Sequence, residues 1–186
     1  MEAIRKDDGP YTYADYCAWD DEQRYELIDG IVFAMAPGPT SAHQRTSVNL
    51  LLQLATYLKG KQCKVFHAPY DVRLNADKED NTVVQPDILV ICDPSIIGVA
   101  GCKGAPDMVV EITSPSTARR DRTQKFDLYL KYGVREYWIV DPDTKTVSVH
   151  ILRDGEYIIR AYTDADTAPV HVLEGCAIDL SEVFGL

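Results

Sequence analysis

The sequence contains no hydrophobic run approaching the roughly 20 residues that a membrane helix requires, which excludes a bilayer-spanning helix. It has no internal repeat and no low-complexity tract, so solenoids, propellers and collagen-like chains are set aside. Cysteine is scarce and unpatterned. Cys17, Cys63, Cys92, Cys102 and Cys176 are odd in number, scattered and without a CxxC pair, which reads against disulfides and structural zinc and leaves several of them, in strand-like or apolar context, as small buried hydrophobes. Glycine-rich phosphate loops are missing too: Gly98 to Gly104 lacks GxxxxGK[ST] spacing, and no glycine-rich first turn supports a dinucleotide fold. Positive charge is in deficit, with 19 Lys and Arg against 29 Asp and Glu, a net charge of -10. That excludes a protein that coats nucleic acid by general attraction, while leaving room for a local basic site. The first ten residues are charged and without the apolar stretch of a secretory signal. They are expected to form a flexible segment, and the protein is expected in the cytoplasm, a reducing compartment with no membrane contact.

What is present is the composition of a folded domain: 46% hydrophobic and 26% charged residues in 186, within the range of one core. Thr12 is placed to cap a short helix through Trp19. Tyr25 to Ile28, Asp29-Gly30 and Ile31 to Phe33 read as strand, tight turn and strand. After punctuation at Pro37 and Pro39, Thr40 to Lys59 reads as a long helix with Val48, Leu51, Leu52, Ala55 and Leu58 on its core face, closed by Gly60. Strands are expected at Lys64 to His67, Asp71 to Leu74, Val83 to Ile91 and Met108 to Thr113, with Cys92 to Pro106 a loop that has room for one helical turn. A second helix is expected after Ser114-Pro115-Ser116-Thr117, with Phe126, Tyr129 and Leu130 facing the core and Gly133 at its end. Strands at Glu136 to Asp141, Thr146 to Leu152, Glu156 to Ala161 and Ala177 to Leu180 complete a mixed α/β fold with antiparallel hairpins.

The informative residues are carboxylates in apolar company. Val83 to Ile91 contains Gln85, Pro86 and Asp87, and period-two alternation groups Asp87 with Leu89 and Ile91. Glu111 interrupts Met108-Val109-Val110-Glu111-Ile112, a run patterned for burial on both faces. An unpaired buried charge costs several kcal/mol, so each needs a cation, a metal or a proton. A hard dication with oxygen ligands, Mg²⁺ or Mn²⁺, satisfies both, and a structural ion pair with Arg or Lys is the competing account. Glu26 is a third such carboxylate. His43, near the start of the long helix, is placed to touch metal or phosphate, against a plainer surface or capping role. Asp121 and Lys125 stand four apart on one helical face, as a simple pair or with the ammonium over a metal site. Arg119, Arg120 and Arg122 belong to a locally basic segment, a set of phosphate contacts or a solvated face.

In order along the chain these are Glu26, His43, Pro86-Asp87, Glu111-Ile112-Thr113, Ser114-Pro115-Ser116-Thr117, Asp121, Lys125 and Tyr132-Gly133-Val134-Arg135-Glu136-Tyr137-Trp138-Ile139-Val140-Asp141. The pattern resembles the Uma-two family of endonucleases, within the PD-(D/E)xK restriction-endonuclease-like superfamily, over about residues 10 to 185. The resemblance implies a single restriction-endonuclease-like domain over residues 1–186 and an α/β (α+β) fold with a mixed central sheet flanked by helices. It implies Asp87 and Glu111 as metal-binding carboxylates, with Glu26 completing the acidic cluster. The superfamily pattern has lysine where this chain has Thr113, and Lys125 is the replacement that the resemblance suggests. The implied activity is Mg²⁺- or Mn²⁺-dependent hydrolysis of phosphodiester bonds, with DNA as substrate and a homodimer as the simplest way to cut both strands. Two alternatives stay open: a catalytically inactive interaction module for nucleic acid or protein that keeps the nuclease fold, and a small-molecule phosphoesterase using the same carboxylates.

Overall fold

The computed structural model describes residues 9–20, 23–35, 38–76 and 78–185. Most of the segment expected to be flexible, and the punctuating Pro37, lie outside the described residues. Helix α1 (Tyr13–Ala18) starts at a capping box. Thr12 Oγ1 accepts the Asp15 N–H at 3.4 Å, and Asp15 accepts the Thr12 N–H at 2.8 Å. Strands β1 (Tyr25–Ile28) and β2 (Ile31–Ala34) form the expected hairpin. Its two turn residues, Asp29 and Gly30, have φ of 48° and 78°, and a Cβ on Gly30 would lie 2.5 Å from Pro10 Cβ, so only glycine fits there.

Helix α2 (Ser41–Leu58) begins at Thr40, whose Oγ1 accepts the His43 N–H. Its buried row is Thr46, Leu50, Leu54 and Leu58, an i, i+4 row, whereas Val48 and Leu52 are 58% and 63% exposed. The expected apolar face is therefore corrected in part: Leu58 is buried and Leu51 packs against the core, while Val48, Leu52 and Ala55 face outward. Leucines at 50, 51 and 52 spread over more than half the helix circumference, so periodicity did not single out one stripe.

Next come β3 (Lys64–His67), β4 (Val72–Arg73), β5 (Val83–Val84) and β6 (Ile88–Ile91). The single strand expected over Val83 to Ile91 is two strands in different sheets. Pro86, which has no N–H to give a ladder, sits in the break with Gln85 and Asp87. Asp87 is thus not an in-strand residue sharing a face with Leu89 and Ile91. The stretch expected as a loop contains a 3₁₀ turn, Pro94–Ile96, and a small hairpin, β7 (Ile97–Gly98) with β8 (Gly101–Lys103). Strand β9 (Met108–Ile112) follows. The second helix is also split, into α3 (Ala118–Arg122) and α4 (Gln124–Lys131), at Thr123 with φ -125° and ψ -82°. Its buried residues include Lys125, Leu128 and Tyr129, while Phe126 and Leu130 are half-buried. Strands β10 (Glu136–Asp141), β11 (Thr146–Arg153), β12 (Glu156–Thr163), β13 (Thr167–Pro169) and β14 (Ala177–Asp179) lead to α5 (Leu180–Phe184).

The strands form a sheet ordered β2-β1-β5-β4-β8-β7, a second ordered β12-β11-β10-β9-β6-β3, and the small β13-β14 pair. Pairs β9/β10 and β4/β8 are parallel and the remaining pairs are antiparallel, giving the mixed sheets and flanking helices expected from the sequence. Both faces of the second sheet are covered. Ile88, Val90, Met108, Val110 and Ile112 pack under α2 with the C-terminal hairpin. Leu89, Ile91, Val109, Tyr137 and Ile139 pack against Leu128 and Tyr129 of α4 and against Val72 and Val84 of the first sheet. Alternation along β9 therefore turns Glu111 toward α4.

The β3/β6 register pairs Lys64 with Ile91, which sets Cys63 opposite Cys92, and these two are disulfide-bonded. This corrects the expectation of no disulfide. Partners 29 residues apart became neighbours only through strand pairing. Cys102 and Cys176 are buried thiols as expected, and Cys17 is exposed.

Candidate active site

The chain passes from one sheet to the other at Gln85-Pro86-Asp87, and this crossing assembles the site. Strand β5 pairs with β1, which carries Glu26, and β6 pairs with β9, which carries Glu111. Carboxylates distant in sequence are thereby drawn to one cleft of about 470 Å³, lined by Glu26, His43, Asp87, Glu111, Asp121 and Lys125. Its rim includes Thr40, Gln44 and Ser47 of the α2 N-terminal region and the hydroxyl-rich 114–117 loop.

Lys125 is the hub. The residue is 5% exposed, and its ammonium lies 2.7 Å from Glu111 Oε1 and 2.9 Å from Glu26 Oε1. Burial alone would pull its pKa down, but Glu111, Glu26 and Asp121 outweigh that and hold it above the ordinary lysine value. Glu26 is fully engaged: Oε1 also accepts the Gln85 N–H at 3.1 Å, and Oε2 pairs with Arg120 Nη1 at 2.9 Å. Burial pushes the Glu26 pKa up, yet Lys125 and Arg120 bring it below the ordinary carboxylate value.

Glu111 is differently balanced. Oε1 accepts from Lys125 and from Tyr129 Oη at 2.8 Å, while Oε2 accepts no hydrogen bond among the described residues. Burial pushes its pKa up to about 8, Lys125 opposing and the charges of Asp121, Asp87 and Glu26 reinforcing. Asp121 is likewise raised, first by burial, with Lys125 opposing and Glu26 and Asp87 adding. Asp87 Oδ2 accepts the Ile112 N–H at 2.8 Å and lies 3.3 Å from His43 Nε2. Its Oδ1 has no donor among the described residues. For His43, burial lowers the pKa and Asp87 more than compensates, so the imidazole titrates above its usual value.

These partners answer the sequence expectations residue by residue. Glu26, His43, Asp87, Glu111, Asp121, Lys125 and Arg120 all line the cleft. Arg119 and Arg122 do not: Arg119 is exposed, and Arg122 pairs with Asp141 at 3.1 Å. Arg120 is spent on Glu26 and on Gln124, whose Oε1 accepts its Nε–H at 3.1 Å. Lys125 pairs with Glu111 and Glu26, and the i, i+4 ion pair expected with Asp121 does not form among the described residues.

Two residues carry more than sequence reasoning gave them. The sequence pattern places Tyr129 on the core face, and its spacing of four from Lys125 is the available signal that it shares the ammonium's face. Gln85 accepts Arg24 Nε–H at 3.0 Å and donates to Asp71 at 2.8 Å and Tyr16 at 3.0 Å, tying the sheet crossing to α1. Nothing in its own sequence context signals that hub.

As a metal site the cleft has the donor chemistry for a hard dication, though not as the acidic triad first expected. Four carboxylates face two cations, Lys125 and Arg120, and the oxygens without donors among the described residues include one each on Asp87 and Glu111. No group of three His, Cys, Asp or Glu side chains converges as a ready cage among the described residues, so an ion there would keep several waters, as Mg²⁺ does. Glu26 has no oxygen to spare; it holds Lys125 and Arg120 in place.

Comparison with known proteins agrees with this architecture. The uncharacterized protein slr1290 of Synechocystis is 30% identical over 156 residues, covering 82% of this chain and 80% of that one. A second Synechocystis protein, the uncharacterized sll1609, is 28% identical over 139 residues, 70% of this chain and 74% of its own. Among solved structures, a "putative nuclease belonging to DUF820" from Anabaena variabilis superposes with a TM-score of 0.74 over 94% of this chain and 98% of that one, at 20% identity, which establishes the shared fold. The Uma2 family profile, described as "Putative restriction endonuclease", matches residues 12–181, and the chain belongs to that family.

Proposed function

We propose that this protein is a Mg²⁺- or Mn²⁺-dependent endonuclease acting on DNA. The observation that carries the reading is the pair of donor-free oxygens, Asp87 Oδ1 and Glu111 Oε2, in one cleft beside a buried ammonium. Asp87 and Glu111 are the residues that would hold the ion. The chemistry a dication supplies there when bound is Lewis-acid activation of water and neutralisation of phosphate charge. The chain's own residues do the rest. Lys125, fixed by Glu111 and Glu26, offers its positive charge to a phosphate as negative charge develops on it, the part that a lysine at Thr113 would otherwise play. Tyr129 and Glu26 keep Glu111 and Lys125 from turning away. Hydroxyls of Thr40, Ser47, Ser114, Ser116 and Thr117 on the rim suit neutral hydrogen bonds to a sugar-phosphate backbone. A homodimer would present two such clefts for the two strands.

A second reading has its own support: Lys125 and Arg120 already neutralise two of the carboxylates, a closed network that an inactive interaction module would also need. One experiment separates them. Wild type, Asp87→Ala and Glu111→Gln are incubated with plasmid and single-stranded DNA in Mn²⁺ or Mg²⁺ at low salt. Cleavage by wild type, lost in both variants, is expected. Cleavage that survives in both sinks the site assignment, and wild type that never cleaves supports the interaction module.

A further inference from the structure

We propose that His43 is the positioning residue for Asp87, orienting its carboxylate so that Oδ1 faces the cleft; this rests on the metal-site reading above. His43 sits in the first turn of α2, where Thr40 Oγ1 accepts its N–H at 3.2 Å and fixes the backbone from which the ring projects. The side chain is 13% exposed. Its Nε2 lies 3.3 Å from Asp87 Oδ2, and the same oxygen accepts the Ile112 N–H at 2.8 Å. An N–H donor on β9 and an imidazole nitrogen on α2, the latter in ion-pair contact at 3.3 Å, thus converge on one oxygen and leave the other bare.

The need for a second donor follows from where Asp87 stands. It precedes β6 in the break between sheets, so no strand ladder runs through it on both sides. A carboxylate held by a single hydrogen bond still swings about that bond and can exchange its oxygens. A second donor arriving from another direction fixes the carboxylate plane. The ring also carries a cost that a purely structural histidine would not need. Nδ1 is buried and hydrogen-bonds nothing among the described residues, so the imidazole is kept there with Nε2 as its directed contact. Outer-shell partners of this kind orient a ligand before the ion arrives, and their loss typically weakens metal affinity by about 10- to 100-fold.

The test is calorimetric titration of MnCl₂ into wild type, His43→Ala, His43→Gln and Asp87→Asn at pH 8, with metal-free melting curves alongside. Glutamine is the informative replacement because its terminal amide reaches as far as Nε2 and donates there. His43→Ala is expected to weaken Mn²⁺ binding by about tenfold or more with its metal-free melting temperature little changed, and His43→Gln is expected to recover most of that loss. Asp87→Asn is expected to lose binding. In single-turnover cleavage the His43→Ala defect should shrink as Mn²⁺ is raised, because the lost orientation is made good by occupancy. Wild-type affinity in His43→Ala overturns the proposal while leaving the nuclease reading intact. Equal weakness in His43→Ala and His43→Gln overturns it as well, since the hydrogen bond is then not what matters. Binding lost in His43→Ala but kept in Asp87→Asn overturns it in favour of direct ligation by the imidazole. Absence of Mn²⁺ binding in wild type overturns both this proposal and the metal reading on which it rests.

Discussion

The Lys125 ammonium and the Glu111 carboxylate form a buried ion pair at 2.7 Å across the interface between α4 and β9. Glu26 completes it from the other sheet at 2.9 Å, so one cation joins both sheets and the helix at the floor of the cleft. Removing that cation takes the shared ammonium from two buried carboxylates. At pH 9, where Glu111 is ionised, Lys125→Met is therefore expected to destabilise the fold by about 3–5 kcal/mol in urea unfolding, and Lys125→Met with Glu111→Gln to recover part of the loss. A single variant within about 1 kcal/mol of wild type would show that the pair is solvated in solution.

Glu111 gives the site a pH signature. Its folded-state pKa, pushed up to about 8 by burial against the opposing Lys125, lies above the roughly 4.3 of an unfolded glutamate. The native state holds this proton longer than the unfolded state does. The contribution is fully present below about pH 4.3 and is lost as pH rises through about 8. Metal-free melting curves of wild type and Glu111→Gln should thus diverge in favour of the variant between about pH 5 and 8. Mn²⁺ affinity of wild type should rise over the same interval, because the ion displaces the proton. Parallel curves at every pH would contradict this.

The two leucine rows of α2 predict opposite outcomes. Leu54→Ala opens a hole beneath the second sheet and is expected to cost about 2–5 kcal/mol, whereas Leu52→Ala, at 63% exposure, should stay within about 0.5 kcal/mol of wild type. Chemical denaturation of both settles which face packs inward.

Cys63 and Cys92 close a loop of 29 residues at the edge of the second sheet. Cys63→Ser with Cys92→Ser is expected to lower stability by about 3 kcal/mol, and dithiothreitol should lower the wild-type midpoint similarly while leaving the double variant unchanged. Five free thiols on the unreduced, unfolded protein would refute the bond.

How far the sequence reached is clearest at the carboxylates. Glu26, Asp87 and Glu111 were visible because each breaks a hydrophobic pattern, and a charge in an apolar run needs a partner whatever the fold. Capping at Thr12, the Asp29-Gly30 turn and the Gly133 helix end were equally legible, since caps and left-handed turns are decided by the residues at the spot. The family motifs around Glu111 and Lys125 were legible for the same reason: their spacing is local.

Which atoms met was another matter. That Glu26 spends both oxygens on protein donors depends on Gln85 and Arg120, 59 and 94 residues away, and no pattern along β1 encodes them. The break at Pro86 could be seen as an anomaly, but its passage from one sheet to the other depends on pairing energies summed over strands from the whole chain. The buried face of α2 was likewise chosen by what packs beneath it, because leucines on both sides made either orientation apolar. Local sequence determined the elements, their ends and the charges that demand partners. Tertiary structure decided the partners, because ion pairs, strand registers and the Cys63–Cys92 bond depend on distance in space, and only the assembled sheets set that distance.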